Sequence, residues 1–394
     1  MNDIRLMFHV HRCALLLIVF LIPACIKAPP APEAPAEPAR QVFWAELPGW
    51  RNDNPIDAML AFRQGCQALK WRHGWEAACA AGAEIDVADP LAVRDYFETW
   101  FIPWILQQED GSEEGLLTGY YVPDLNASRT RTDVYRYPVY GVPDDLLIVD
   151  LSKVYPELGD YRLRGRLDGR RVIPYYDRAE IDAGLADVAD KELFWVADPV
   201  ELFFLHIQGS GRMRLPNGEN IMVNYAEQNG HPYRSIGKLL LERGVMTRAQ
   251  MSMQNIRAWA RDNPDQVDQL LAENPSYVFF RELPVEMQSP PGAMGIPLTP
   301  RRSLAVDRRF VPLGAPVFLA TTWPGDDLPL RQLMIAQDTG GAIKGRVRAD
   351  FFWGMGTEAE SYAGRMKQPV RLWVLLPRGV DPPANKQEKS RSDE

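Results

Sequence analysis

Residues 333–345 read Leu-Met-Ile-Ala-Gln-Asp-Thr-Gly-Gly-Ala-Ile-Lys-Gly, and this stretch decides how the rest of the chain is read. Its first half is apolar, has strand character and stops abruptly at Asp338. Thr339, Gly340 and Gly341 follow at once. Glycine allows backbone turns that other residues resist, and it leaves room for a ligand beside the main chain. A carboxylate at a strand end beside open backbone is well placed for proton transfer. Asp338 is therefore the candidate catalytic group.

Outward from this segment the pattern is β. Residues 277–281, 303–306, 316–320, 332–337 and 370–376 are short apolar runs separated by Gly and Pro turns, which suggests a small closed barrel. The middle, about 125–225, has the same closely spaced character, with runs at 146–149, 171–176 and 202–208 read as β. Between these regions the period changes. Residues 233–241, 248–260 and 264–271 read as three helices, with a capping box at 247–250 and Pro264 in a first turn. Nearer the start, Met59, Phe62, Cys66 and Leu69 share one helical face. Asp89-Pro90 opens another helix, and residues 116–123 form a strand. Gly209-Ser210-Gly211 lacks a glycine three positions on, so a dinucleotide-binding turn is weakly supported.

The composition of the 394 residues, 46% hydrophobic and 24% charged, is ordinary for a globular protein. A formal net charge of −8 argues against a nucleic-acid partner. Arg5 and Arg12 flank a short polar start, and residues 14–22 are apolar but too few for a stable span. Ile22-Pro23-Ala24-Cys25 then resembles a bacterial lipoprotein signal. On this reading residues 1–24 are the signal peptide and Cys25 is the lipidation site. An ordinary secretory signal cleaved nearby is the competing reading. Ile26, in place of an Asp, favours the outer membrane. Residues 25–40 then form a lipidated Cys and Pro/Ala tether, and residues 381–394 a disordered tail. Cys13 leaves with the signal, so Cys66 and Cys79 remain. An even pair in an oxidising compartment reads as a disulfide, with Gly74 able to break the helix between them; two buried free thiols are the alternative. No Cys/His cluster has metal-ligand spacing, so no metal and no cofactor is expected.

Seven stretches in order carry a resemblance: residues 47–50 (LPGW), 117–121 (LTGYY), 162–166 (RLRGR), 174–181 (PYYDRAEI), 205–211 (LHIQGSG), 274–280 (NPSYVFF) and the Asp338 segment. Together they resemble the membrane-bound lytic murein transglycosylase A family, and the last hundred residues resemble the three-aspartate domain of wall-degrading proteins. The resemblance implies a mainly β protein with helical segments: a double-psi β-barrel domain with a second β domain inserted and a groove between them. The barrel would comprise residues 41–124 and 273–380, the insert 125–272. The implied reaction cleaves the β-1,4 bond between N-acetylmuramic acid and N-acetylglucosamine in peptidoglycan glycan strands. The muramyl C6 hydroxyl attacks its own C1 and leaves a 1,6-anhydro end. One carboxyl, Asp338, serves as acid and then base.

Asp307 and Asp350 are supporting candidates; Asp307, followed by Arg308-Arg309, reads as a salt-bridged support. Thr118, Tyr120, Tyr121, Gln208, Ser210, Gly340 and Gly341 are the substrate-binding candidates. Adjacent strand residues face opposite sides, so one of the two tyrosines is expected in the core. Val122 stands where many relatives are expected to have Glu and is given no role. The partners implied are glycan strands and, through the lipid anchor, a membrane; protein partners in a wall-synthesis complex stay open. Three rivals remain. Asp338-Thr339-Gly340 also fits an aspartic protease, which needs two such aspartates. A glycan hydrolase would use water with two carboxylates. A wall-binding lipoprotein would not cleave at all.

Overall fold

The computed structural model of the protein describes residues 37–161 and 163–383. The signal peptide, Cys25, most of the tether, Arg162 and nearly all of the C-terminal tail lie outside the described residues. Among those described, no helix is long and apolar enough to cross a membrane.

The chain opens with β1 (Ala39–Gln41), α1 (Ile56–Leu69), α2 (Glu76–Glu84), α3 (Pro90–Trp100), β2 (Phe101–Leu106) and β3 (Gly115–Val122). Asp89 caps α3 by accepting from the Leu91 amide, with Pro90 in the first turn. α1 ends at Leu69, and Gly74, at φ +84° in the turn before α2, lets the chain double back. That turn brings Cys66 and Cys79 to a Cα separation of 5.5 Å, where they are disulfide-bonded.

The middle of the chain contributes β4 (Asp124–Ser128), β5 (Tyr137–Tyr140), β6 (Leu147–Ile148), β7 (Arg164–Asp168), β8 (Arg171–Pro174), α4 (Arg178–Asp182) and β9 (Glu192–Val196). It continues through α5 (Pro199–Gln208), β10 (Ser210–Arg214), β11 (Asn220–Gln228), α6 (Ile236–Glu242), α7 (Met253–Asp262), α8 (Pro264–Ala272) and β12 (Val278–Glu282). The last portion is β13 (Ser303–Val306), β14 (Pro316–Thr322), β15 (Pro329–Asp338), β16 (Arg348–Met355), α9 (Gly356–Arg365) and β17 (Lys367–Pro377).

The first and last portions share one mixed sheet of eight strands, in the order β1-β2-β17-β14-β15-β13-β16-β3. The middle forms a six-stranded sheet, β12-β11-β10-β4-β9-β5, and a three-stranded one, β6-β7-β8. Two expectations are corrected here. The architecture is mixed α/β, with helices α1–α3 and α6–α9 contributing buried residues to the largest core. And the eight strands do not form a closed double-psi barrel: the order runs out through β2 to β1 at a free edge. The long β17 explains why short-strand counting misleads. Its first residues meet β3, its middle pairs β14, and its end pairs β2, so one strand serves three neighbours.

Residues 202–208 are also corrected, from strand to the helix α5. A short apolar run does not distinguish a strand from a buried helix. The ends decide: Asp198 accepts from the Val200 and Glu201 amides, Pro199 begins the first turn, and Gly209 closes the helix at φ +77°. α5 is buried on two sides. Leu202 and Leu205 pack on the six-stranded sheet, Val200, Phe203 and Phe204 into the larger core.

Candidate active site

Strand register assembles the acidic cluster. β13 lies between β15 and β16, and its Ala305 is opposite Asp338 on one side and Asp350 on the other. Asp350 is in turn opposite Thr118 on β3. Asp338 ends β15 with its carboxylate held at both oxygens. Oδ1 accepts from the Ala293 amide (3.0 Å) and the Thr339 amide (2.9 Å), and Oδ2 accepts from Tyr120 Oη (3.1 Å). Tyr120 is buried, and burial together with the charges of Asp338 and Asp350 raises its phenol well above the ordinary value.

Asp350 accepts from Thr118 Oγ1 at 2.7 Å, and Arg348 Nη2 donates to the same hydroxyl at 2.7 Å. Withdrawal from water raises the Asp350 carboxyl to about 6, with the Asp338 charge adding and Thr118 and Arg348 opposing. Asp307 is the reverse case. Burial pushes its carboxyl up, but the Arg309 guanidinium and the amides of Gly345 and Arg309 outweigh this and hold it below the usual range. Arg309 Nη2 donates to Oδ2 at 2.6 Å and the Gly345 amide at 2.9 Å. Asp307 thus pins the far end of the loop that begins at Asp338. Gly345, at φ +120°, takes a backbone conformation that a side chain would resist. Within the loop Gly340 and Gly341 differ. A Cβ on Gly340 would come within 2.7 Å of Ile343 Cγ1, whereas one on Gly341 would meet open space.

Facing Asp338 is a cavity of about 690 Å³, lined from both large sheets. Of the residues singled out from sequence, Asp338, Tyr120, Tyr121, Gln208, Ser210, Gly340 and Gly341 line it. Thr118, Asp307 and Asp350 do not. Thr118 is turned onto Asp350 behind the wall. The tyrosines diverge as strand alternation requires: Tyr120 reaches Asp338, while the Tyr121 hydroxyl turns to Met253 Sδ in the main core. Tyr121 offers the cavity its backbone, whose amide donates to Gln208 Oε1 at 3.0 Å.

The second wall adds groups that the sequence reading passed over. Asn224 on β11 donates to Ser210 Oγ at 2.8 Å, and its cross-strand neighbour Arg281 also lines the cavity. The signal that could have found Asn224 is its place as a lone polar residue interrupting the apolar run of residues 221–226; Arg281, one cation after an apolar run, gave none. His206 also reaches the lining. Arg178 Nη2 lies 2.8 Å from its Nδ1, and burial, reinforced by the Arg178 charge, keeps the imidazole far below its ordinary value. Since guanidinium only donates, Nδ1 accepts and the ring proton is on Nε2. Asp338 is the one carboxylate among the described residues lining the cavity. No group of described His, Cys, Asp or Glu residues could hold a metal ion.

Comparison with known proteins agrees with this geometry. Residues 116–281 match the MltA specific insert domain and residues 302–376 the 3D domain. Membrane-bound lytic murein transglycosylase A of Escherichia coli K12 is 34% identical over 280 residues, covering 69% of this chain and 68% of that one. Among solved structures, MltA from Neisseria gonorrhoeae is similar with a TM-score of 0.76 and 38% identity, over 90% of this chain and 97% of that one. E. coli MltA with bound chitohexaose gives a TM-score of 0.66 and 28% identity, over 87% of this chain and 96% of that one. Similarity on this scale, across both sheets and the loop that carries Asp338, is that of common descent with a set of lyases: the chain belongs to the membrane-bound lytic murein transglycosylase A family.

Proposed function

We propose that this enzyme cleaves the β-1,4 bond between N-acetylmuramic acid and N-acetylglucosamine in peptidoglycan and leaves 1,6-anhydro-muramyl ends. The observation that carries the proposal is the lone carboxylate: among the described residues, Asp338 alone brings an acid to the cavity. A hydrolase of the two-carboxylate kind needs a second acid at the scissile bond to activate water. A reaction whose nucleophile is the sugar's own C6 hydroxyl does not. The protease reading meets the same objection, because it needs a second aspartate sharing the site.

The bonding of Asp338 supports an assignment of the transferable proton. Backbone amides only donate, so the oxygen they hold, Oδ1, stays an acceptor. The proton therefore belongs on Oδ2, whose partner Tyr120 Oη can donate to it when it is charged and accept when it is not. Oδ2 protonates the leaving glycosidic oxygen, then takes the proton of the C6 hydroxyl as that oxygen closes on C1. The carboxyl becomes charged as its proton leaves with the departing sugar and neutral again as it takes the C6 hydroxyl proton, while both amides keep it fixed, which is the preorganisation such a step rewards. Gly341, open to the cavity, lets a sugar approach the main chain. Gln208 and Ser210 offer hydrogen bonds along the groove, Thr118 and Asp350 buttress Tyr120 and Asp338 from behind, and Asp307 holds the loop.

The matched relatives are named membrane-bound, and this reading extends to residues 1–40. Cleavage before Cys25 and its acylation would anchor the enzyme at the outer membrane facing the periplasm, with the Pro/Ala tether of residues 25–40 joining the anchor to a body that comprises residues 41–124 and 273–380 and the insert at 125–272. The test is mass spectrometry of fragments released from purified sacculi by the full chain in detergent, beside Asp338→Asn. Products one water lighter than hydrolysis fragments, resistant to borohydride and absent with the variant, are expected. Reducible muramyl ends would make it a hydrolase; binding without release would make it a wall-binding lipoprotein.

A further inference from the structure

Neutral N-acetylhexosamines call for hydroxyl and amide partners, yet among the described residues the groove carries two cations, Arg281 and Lys344. Arg281 comes from β12 of the six-stranded sheet, Lys344 from the loop after Asp338, so the two stand on different structural units that share one cavity. Both are exposed. Neither forms an ion pair among the described residues, and the hydrogen bond from Arg281 Nη2 to Asn224 Oδ1 is long at 3.4 Å. The nearest acid in sequence does not neutralise Arg281. Glu282 faces the other side of the strand, where both its carboxylate oxygens are taken by Arg129. Lys344 is presented just as deliberately. Ile343 before it is buried and Gly345 after it is tied to Asp307, so the backbone on both sides of Lys344 is fixed. In a chain of formal net charge −8, two uncompensated cations beside the one cavity carboxylate are a selective feature.

We propose that Arg281 and Lys344 are specificity residues that bind a carboxylate borne by the glycan, and so distinguish muramyl-containing strands from neutral chitin-like ones. This rests on the glycan-cleaving reading above and extends it to the substrate's charge. The carboxylate has two sources: the lactyl group of a peptide-free muramic acid, or the acidic residues of a stem peptide. Guanidinium and ammonium both suit it, as a forked donor and a point charge respectively.

The experiment measures kcat and KM of the full chain in detergent on three soluble substrates: peptide-bearing glycan strands, strands stripped of peptide by an amidase, and stripped strands whose lactyl carboxylates have been converted to methyl amides. Arg281→Ala, Lys344→Ala and the charge reversal Lys344→Glu are compared with the wild type, with Arg281→Lys and Lys344→Arg as conservative rescues. Each lost charge-assisted contact should raise KM on carboxylate-bearing strands by roughly tenfold. Lys344→Glu should raise it further, and the conservative variants should restore most of it. The wild-type preference for carboxylate-bearing over amidated strands should collapse in the Arg281/Lys344 double variant. A rise confined to peptide-bearing strands assigns the stem peptide, one confined to stripped strands the lactyl group. If the double variant discriminates as the wild type does, or if Lys344→Glu leaves KM unchanged, the proposal is wrong even though the enzyme cleaves. A wild type that releases no anhydro ends from any substrate instead overturns the glycan-cleaving reading itself, and that failure is visible before any variant is compared.

Discussion

The two walls of the groove are built to different standards of fixity. On the first, from the eight-stranded sheet and its loop, every acidic oxygen of consequence is held. Both oxygens of Asp338 have partners, Asp307 receives four groups from Arg309 and Gly345, and Asp350 is bound by Thr118. On the second, from the six-stranded sheet, Arg281 makes one long hydrogen bond, and Tyr233 at the rim is 42% exposed. A group that must move a proton within a fraction of an ångström needs a rigid seat. Groups that select among bulky, variable strands do better with side chains that adjust. The difference suggests a division of labour: the held carboxylates belong to the proposed chemistry, and the exposed cations, Arg281 on the second wall and Lys344 on the loop of the first, to the proposed selection, and substitutions should divide the same way.

The largest effect belongs to the first wall. Asp338→Asn keeps the shape and the Oδ1 acceptor but removes the proton carrier, so kcat on sacculi should fall by about a thousandfold, near 4 kcal/mol of barrier, with the melting temperature little changed. Turnover by product mass spectrometry and a thermal melt on the same sample check both halves. Retention of more than a tenth of the activity would remove Asp338 from the chemistry.

Next comes the support behind that wall. α1 backs β15, with Gln337 Nε2 donating to the Ala61 carbonyl at 3.3 Å, and the Cys66–Cys79 bond closes the loop that carries α1 into α2. Closing a loop with a sequence separation of 13 is worth about 3 kcal/mol on the chain-entropy estimate. Cys66→Ser with Cys79→Ser should lose that much in denaturant unfolding while kcat at 25 °C falls far less than with Asp338→Asn. A double variant as stable as the wild type would show that packing of α1 on the sheet suffices alone.

Asp307 ranks third. Asp307→Ala frees Gly345 and Arg309, and hydrogen bonds to a charged group put the loss near 2 kcal/mol. Its native carboxyl is held below the usual value, so its contribution is fully present above the unfolded value of about 3.9 and is lost as pH falls through the native one. The stability gap between wild type and variant should therefore narrow below about pH 4. A gap constant into acid would mean that the Asp307 charge is not what holds the loop.

How much of this was legible beforehand follows the same physics. The strand ending at Asp338 was readable because a continuous apolar run and abrupt glycines are local signals. The disulfide pair was readable from cysteine arithmetic, and the helix of residues 56–69 from its period. What was not readable depended on register or on ends. Residues 202–208 looked like strand until Asp198, Pro199 and Gly209 were seen as helix caps. The strand order, with β2 and β1 carried outside β17 to a free edge, was hidden because a sequence does not show that β17 pairs with three partners. Thr118 was assigned to substrate because nothing in residues 116–123 says that β16 will put Asp350 directly opposite. Arg281 was invisible for the same reason: its meaning lies in the cavity it shares with Lys344.

Asp350 gives the sharpest contrast with Asp307, since the two are displaced in opposite directions within one wall. Its carboxyl rises to about 6, chiefly because the protein withdraws it from water. The unfolded chain gives up that proton near 3.9, so between these values the native state binds the extra proton and gains stability from it. That gain is fully present below about pH 4, declines as pH rises through 6, and is absent above. Asp350→Asn keeps the acceptor for Thr118 but does not titrate, so the melting temperature of the wild type relative to the variant should drop by a few degrees between pH 4 and pH 7 and then stay level. The Asp307 variant should show the opposite slope, and only in more acid solution. If the wild-type and Asp350→Asn melts run parallel from pH 4 to pH 7, Asp350 takes up no extra proton on folding and is ionised throughout that range. Tyr120 donates to Asp338 whenever that carboxylate is charged, so its replacement by Phe should cost more activity than the loss of one neutral hydrogen bond explains.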